Sequence, residues 1–78
     1  MPKLYQPKHI VKVLERFGFF FVSQNGSHSK YRKEGKPTLT VIVPIHNKDV
    51  PYGTFRSILR QSNLSETDFE TKKRKSKK

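Results

Sequence analysis

Residues 19–33 read Phe19-Phe20-Phe21-Val22-Ser23-Gln24-Asn25-Gly26-Ser27-His28-Ser29-Lys30-Tyr31-Arg32-Lys33, and how this stretch pairs with itself sets the architecture. Its first half is rich in aromatic and β-branched side chains, which suit a pleated, half-buried surface. Asn25-Gly26 is the strongest short-range hairpin signal, because a type I′ turn needs positive φ at both central positions. The spacing predicts strands over 19–24 and 27–33. A two-residue turn at 25–26 sets Gln24 opposite Ser27, and the register follows. Ser23 then faces His28, Phe21 faces Lys30, and Phe19 faces Arg32. On the other face Phe20 meets Tyr31 and Val22 meets Ser29, and this mostly apolar set is expected to meet the core.

On the N-terminal side, Ile10, Val13, Leu14 and Phe17 recur at i, i+3, i+4 and i+7, the spacing of an amphipathic helix. Pro7 suits the first turn and Gly18 the left-handed cap, so a helix is predicted from Pro7 to Phe17. On the C-terminal side, Glu34-Gly35-Lys36 makes a turn. Pro37 to Val43 reads as a third strand with Leu39, Val41 and Val43 alternating. A loop from Ile45 to Tyr52 precedes a second helix over 53–61, where Phe55, Ile58, Leu59 and Ser62 share one face. Arg56 and Arg60 fall on the opposite side of that helix. Ser65 to Asp68 resembles a capped start of one short turn that returns Leu64 and Phe69 to the body. The order is α-β-β-β-α. The economical arrangement is an α+β, two-layer fold, a three-stranded antiparallel meander with two helices on one face. Double-stranded RNA-binding domains share this element order.

The chain has 78 residues, enough for one small domain, expected over 1–70. Thr71 to Lys78 has no apolar residue and is expected to be a disordered basic tail. Cysteine is absent, so neither disulfides nor thiolate metal sites can staple the fold. No apolar run approaches the roughly 18 residues of a membrane span, and the N-terminus has no secretory apolar core. The expectation is a soluble intracellular protein, cytoplasmic and without a membrane role. Seventeen basic residues against six acidic give +11, with six of the seventeen in the tail. Polyanions are the natural partners.

His28, Lys30 and Arg32 fall in a row on the predicted open face, with Phe19 and Phe21 alongside. Cations among aromatic rings suit RNA, where the cations meet phosphates and the rings stack on bases. His28 sits just past the turn, and imidazole takes and gives a proton near neutral pH. RNA carries its own nucleophile, the 2′-OH, which such a base can direct at the adjacent phosphate. His46, in the loop after Val43-Pro44, is a candidate second acid or base. His9 is expected to be solvated. Histidines at 9, 28 and 46 lack metal-ligand spacing, so neither a metal nor another cofactor is expected.

Phe17-Gly18-Phe19, Val22, Gln24, Gly26-Ser27-His28 and Tyr31 resemble the N-terminal signature of the HicA-type toxins, the YcfA-like mRNA interferases. Val41, Val43-Pro44 and His46 are similar to that family's third strand and following loop. Gly53-Thr54-Phe55-Arg56-Ser57-Ile58-Leu59-Arg60-Gln61 is similar to its second-helix motif. The likeness runs in order over about residues 8–70. Departures are Asn25 where Lys often stands, Phe55 where Leu is commoner, and the Lys-rich tail. The resemblance implies a dsRBD-like fold, cleavage of mRNA as part of a type II toxin–antitoxin system, and neutralisation by a HicB-type antitoxin. It places the family's essential histidine at His28. Phosphate contacts are expected from Ser27, Lys30 and Arg32, with Lys48 and Arg56 as further candidates. Two other readings use the same residues: a non-catalytic RNA-binding module, and a cationic face that docks on an acidic protein.

Overall fold

The computed structural model describes residues 3–46 and 48–70, so the tail expected to be disordered lies outside the described residues. The elements run α1 (Pro7–Arg16), β1 (Phe20–Asn25), β2 (His28–Lys33), β3 (Leu39–Pro44) and α2 (Tyr52–Ser62), followed by a short 3₁₀ turn (Glu66–Phe69). The three strands form one antiparallel sheet in the order β1-β2-β3. This is the expected α-β-β-β-α order.

Both helices form for the reasons their periodicity gives. α1 starts on Pro7, whose missing N–H costs nothing in a first turn, and buries Ile10, Val13 and Leu14. It ends one residue before the expected boundary, with Phe17 as its cap. Gly18 then takes φ +100°, and the Phe19 N–H closes the end on the Leu14 carbonyl at 3.0 Å. α2 buries Phe55, Ile58, Leu59 and Ser62 and ends at Asn63, which takes the left-handed conformation at φ 64°. In the 3₁₀ turn the Ser65 N–H donates to Asp68 Oδ2 at 2.9 Å, and the Asp68 N–H returns to the Ser65 carbonyl at 3.0 Å. That turn drives Phe69 into the core, where its ring meets Phe55 edge-on at 5.2 Å.

The hairpin departs from expectation twice. Its two-residue turn is Gly26-Ser27, flanked by the pair Asn25 and His28, and not Asn25-Gly26. Gly26 carries the positive φ, +61°, while Ser27 does not, which is the pattern of a type II′ turn. Asn25 is thus spared the positive φ that a type I′ turn would impose on it. The slip moves the pairings near the turn by two positions and therefore keeps their faces: Ser23 pairs Lys30, and Gln24 pairs Ser29. The second departure is a bulge between Phe21 and Ser23, which inserts one unmatched residue and inverts the faces beyond it. Phe21 now pairs Tyr31 and Phe20 pairs Arg32. Hence Phe20, expected in the core, is 44% exposed on the open face, while Phe19, expected on the open face, is 3% exposed in the core. Phe21 lies on the helix side beside Tyr31, ring centroids 5.8 Å apart, yet stays 52% exposed at the edge of the sheet.

The core lies between sheet and helices. Tyr31, Val41 and Val43 from the strands meet Ile10, Val13 and Leu14 of α1 and Phe55, Ile58 and Leu59 of α2. Tyr5, ahead of α1, and Val50, from the segment expected as loop, join it, linked by a Val50 N–H to Tyr5 carbonyl bond of 2.8 Å. His9, expected in solvent, is half-buried: its ring stacks on Tyr5 at 4.9 Å and Nε2 donates to the Phe69 carbonyl at 2.6 Å. Among the described residues, no helix covers the opposite face of the sheet. Among the described residues, no helix is long and apolar enough to cross a membrane.

Candidate nucleic-acid interface

Alternation along β2 divides its side chains between the two layers. Ser29 and Tyr31 are buried toward the helices, whereas His28 is exposed and Lys30 and Arg32 are half-buried on the other side. Pairing brings neighbours to each of the three. His28 stands between Asn25 and Pro44, Lys30 between Ser23 and Ile42, and Arg32 between Phe20 and Thr40. Ser23, Asn25, His28, Lys30 and Ile42 line a hollow of about 450 Å³ on this open face.

The turn end of the face is fixed by backbone and side-chain bonds. Ser27, exposed in the turn, accepts the Ile45 N–H on its carbonyl at 2.5 Å, which ties the β3 exit to the hairpin. Gln24 donates from Nε2 to the Gly26 carbonyl at 3.1 Å, and the Ser29 hydroxyl donates to Gln24 Oε1 at 3.3 Å. The outer edge of β3 is held by α2, because the Ile42 N–H donates to Gln61 Oε1 at 3.0 Å. Among the described residues, no side chain hydrogen-bonds the His28 ring, so the imidazole is open to a ligand. No three His, Asp or Glu side chains gather as a metal-binding group among the described residues.

The sequence-derived candidates divide by position. His28 and Lys30 share the hollow, Arg32 continues the same row, and Ser27 borders it in the turn. The expected aromatic neighbour is a single ring, Phe20, and not the pair Phe19 and Phe21. Lys48 is exposed in the loop before α2. Arg56 stands on α2, in the layer on the far side of the sheet, with its guanidinium 6.0 Å from the Tyr52 ring centroid. His46 lines a different hollow, with Gln6, Pro7, Lys8, Val11, Lys12 and Ile45. The sequence reading missed Ser23, Asn25 and Ile42 as lining groups. For Ile42 the signal was present in the alternation of β3, where Val41 and Val43 face the core and therefore leave Thr40, Ile42 and Pro44 on the open side; Ser23 was already expected on the open face, and Asn25 was assigned to the turn.

Chemically, the open face offers one imidazole, one ammonium within the same hollow, a guanidinium further along, and hydroxyl and amide groups from Ser23 and Asn25. That set can hold a phosphodiester and move one proton. The family described as "HicA toxin of bacterial toxin-antitoxin" matches the chain over residues 7–64, which takes in both helices and the whole sheet. No curated protein matches the chain.

Proposed function

The chain belongs to the HicA toxin family of bacterial toxin–antitoxin systems, and from that premise we propose that it is a metal-independent endoribonuclease acting on mRNA through His28. The observation that carries this reading is the exposed imidazole of His28 in one hollow with Lys30, on a sheet face that no helix covers among the described residues. In the proposed step His28 takes the proton of a ribose 2′-OH. The 2′-oxygen bonds to the adjacent phosphorus, the bond from phosphorus to the 5′-oxygen breaks, and the leaving oxygen takes a proton from a water that recovers one from the His28 imidazolium. Lys30 would neutralise the charge that builds on the phosphoryl oxygens, while Arg32 and Ser27 would hold the flanking strand. Phe20, level with Arg32, offers a ring on which a base can stack. A HicB-type antitoxin would neutralise the toxin by covering the same basic row, which shuts out RNA and pairs its charges in one step.

The rival reading, a non-catalytic RNA-binding module, draws on the free imidazole. Catalytic bases are commonly oriented by a third group, and no described residue supplies one to His28. Such contacts can also tighten only when substrate binds, so RNA itself can orient the ring. End-group analysis of an RNA digest in excess EDTA separates the two. The endoribonuclease leaves 2′,3′-cyclic phosphate and 5′-hydroxyl ends, and a 2′-deoxy nucleotide at the scissile position blocks the cut. Binding without cleavage would establish the rival, and 3′-hydroxyl ends would exclude the 2′-OH as nucleophile.

A further inference from the structure

A second hollow, of about 550 Å³, opens where the N-terminal half of α1 meets the segment leaving β3. Its volume falls within the roughly 300–1,000 Å³ usual for small-ligand sites. Among the described residues, Pro7, Val11 and Ile45 give it an apolar floor, and Lys8, Lys12, His46 and Gln6 line the rest. Lys8 and Lys12 are one helical turn apart, which places them side by side. No carboxylate is among the described lining residues. Asp49 lines the adjoining depression, which shares Gln6, Lys8 and Lys12 with this hollow.

We infer that this hollow is a second RNA subsite, which takes one nucleotide of the strand whose scissile phosphate lies at His28. The inference rests on the endoribonuclease reading. An apolar floor beside an imidazole fits the face of a base, since histidine is among the side chains on which bases stack. The Gln6 amide offers both a donor and an acceptor to a base edge. Two adjacent ammonium groups fit the phosphate of that nucleotide. Continuity with the open face comes from β3: Pro44 pairs with His28, and the chain from there to His46 spans at most about 7 Å. An RNA strand can therefore leave the His28 hollow, round the end of the sheet and reach α1 within a few nucleotides. In this arrangement His46 is a recognition residue and not a second acid or base. An acidic segment of a protein would meet the lysines equally well but has less use for a flat apolar floor beside an imidazole.

The test uses the full chain and a set of short RNAs carrying one abasic nucleotide at successive positions along the strand. Lys8→Glu/Lys12→Glu is the variant of choice, since both positions are exposed and Lys8 lies in the first turn of α1, where an acidic residue suits the helix. The expected result is that an abasic nucleotide at one fixed offset from the cut raises KM about tenfold for the wild type. The double variant should show a raised KM on intact RNA, little change in kcat, and no further response at that offset. Val11→Gln, which leaves the charges in place, should reproduce the loss of response to the abasic position. The inference is overturned if no offset stands out, or if the variants keep wild-type KM while the wild type cleaves normally. It is equally overturned if the variants cleave as wild type but escape the antitoxin, which would assign the hollow to that protein. A wild type that does not cleave RNA at all would remove the endoribonuclease reading, and the subsite with it.

Discussion

His9 lays its ring on Tyr5 at 4.9 Å and donates from Nε2 to the Phe69 carbonyl, which ties α1 to the C-terminal turn. Among the described residues the His28 ring has neither a stacking partner nor a hydrogen bond, and it stands exposed in a hollow. Replacing His9 with Ala should cost about 1–3 kcal/mol, because it orphans a partly buried carbonyl and removes the stack. Urea unfolding measures this directly, and a variant as stable as the wild type would show that the bond contributes nothing. A second expectation concerns the phenols. Burial, above all, raises the pKa of both Tyr5 and Tyr31 above the ordinary 10.0; Glu70 and then Glu66 add to the effect at Tyr5, and Glu15 adds to it at Tyr31. The unfolded chain thus loses these protons first as pH rises. The stabilising contribution is complete below pH 10.0 and is lost as pH climbs through the higher folded-state values. Urea midpoints should fall across that window, and Tyr31→Phe should lessen the fall. A midpoint that holds steady would mean that the phenols titrate alike in both states.

Among the elements, α1, β3 and α2 were legible because each carries a long apolar period that one face must bury. Ile10, Val13 and Leu14, then Val41 and Val43, then Phe55, Ile58 and Leu59 lie where that period puts them. The division of β2 was legible from strand alternation, which puts His28, Lys30 and Arg32 on one face in either register. The turn and the bulge were not. Asn25-Gly26 is the stronger local signal, but Gly26-Ser27 is also an acceptable two-residue turn, and the structure takes the second. Nothing in Phe-Phe-Phe-Val marks where an extra residue will be inserted, since all four side chains suit either face. Of three identical rings it is Phe19 that lies in the core cluster, and the choice among them is a tertiary effect. The His46 hollow was illegible for a related reason, because packing alone joins the start of α1 to the exit of β3, far apart in sequence. The turn assignment makes its own prediction. Gly26→Ala should destabilise by about 1 kcal/mol or more although nothing lies within 4 Å of an added Cβ, because the cost is φ +61° and not crowding. Asn25→Ala should cost less, since Asn25 sits in β1 and not at a positive-φ turn position. Denaturation of the two variants checks this, and the reverse ranking would restore the Asn25-Gly26 turn.

For the whole molecule the governing quantity is charge. The net +11 falls to +5 for residues 1–70, because 71–78 hold six of the basic residues and none of the acidic ones. These residues contain no aromatic, histidine or apolar side chain, so they should add sequence-independent attraction to phosphates and nothing to bond breaking. Each phosphate that the truncated chain leaves unneutralised should flatten the log–log salt dependence by about 0.7 on single strands. Deleting 71–78 should therefore weaken RNA binding at low salt and lower that slope, with the rate at saturating RNA nearly unchanged. Equal slopes for the two proteins would deny these residues an RNA role. The body, by contrast, should hold the chemistry, and within it bond breaking should depend on one imidazole. The most direct test is RNA digestion in excess EDTA by wild type and His28→Ala side by side, with urea unfolding of both. The wild type should cleave, and His28→Ala should not, while its stability stays within about 0.5 kcal/mol of wild type, as expected for an exposed side chain. Cleavage by the folded His28→Ala protein, or a wild type silenced by EDTA alone, would contradict metal-independent catalysis by His28.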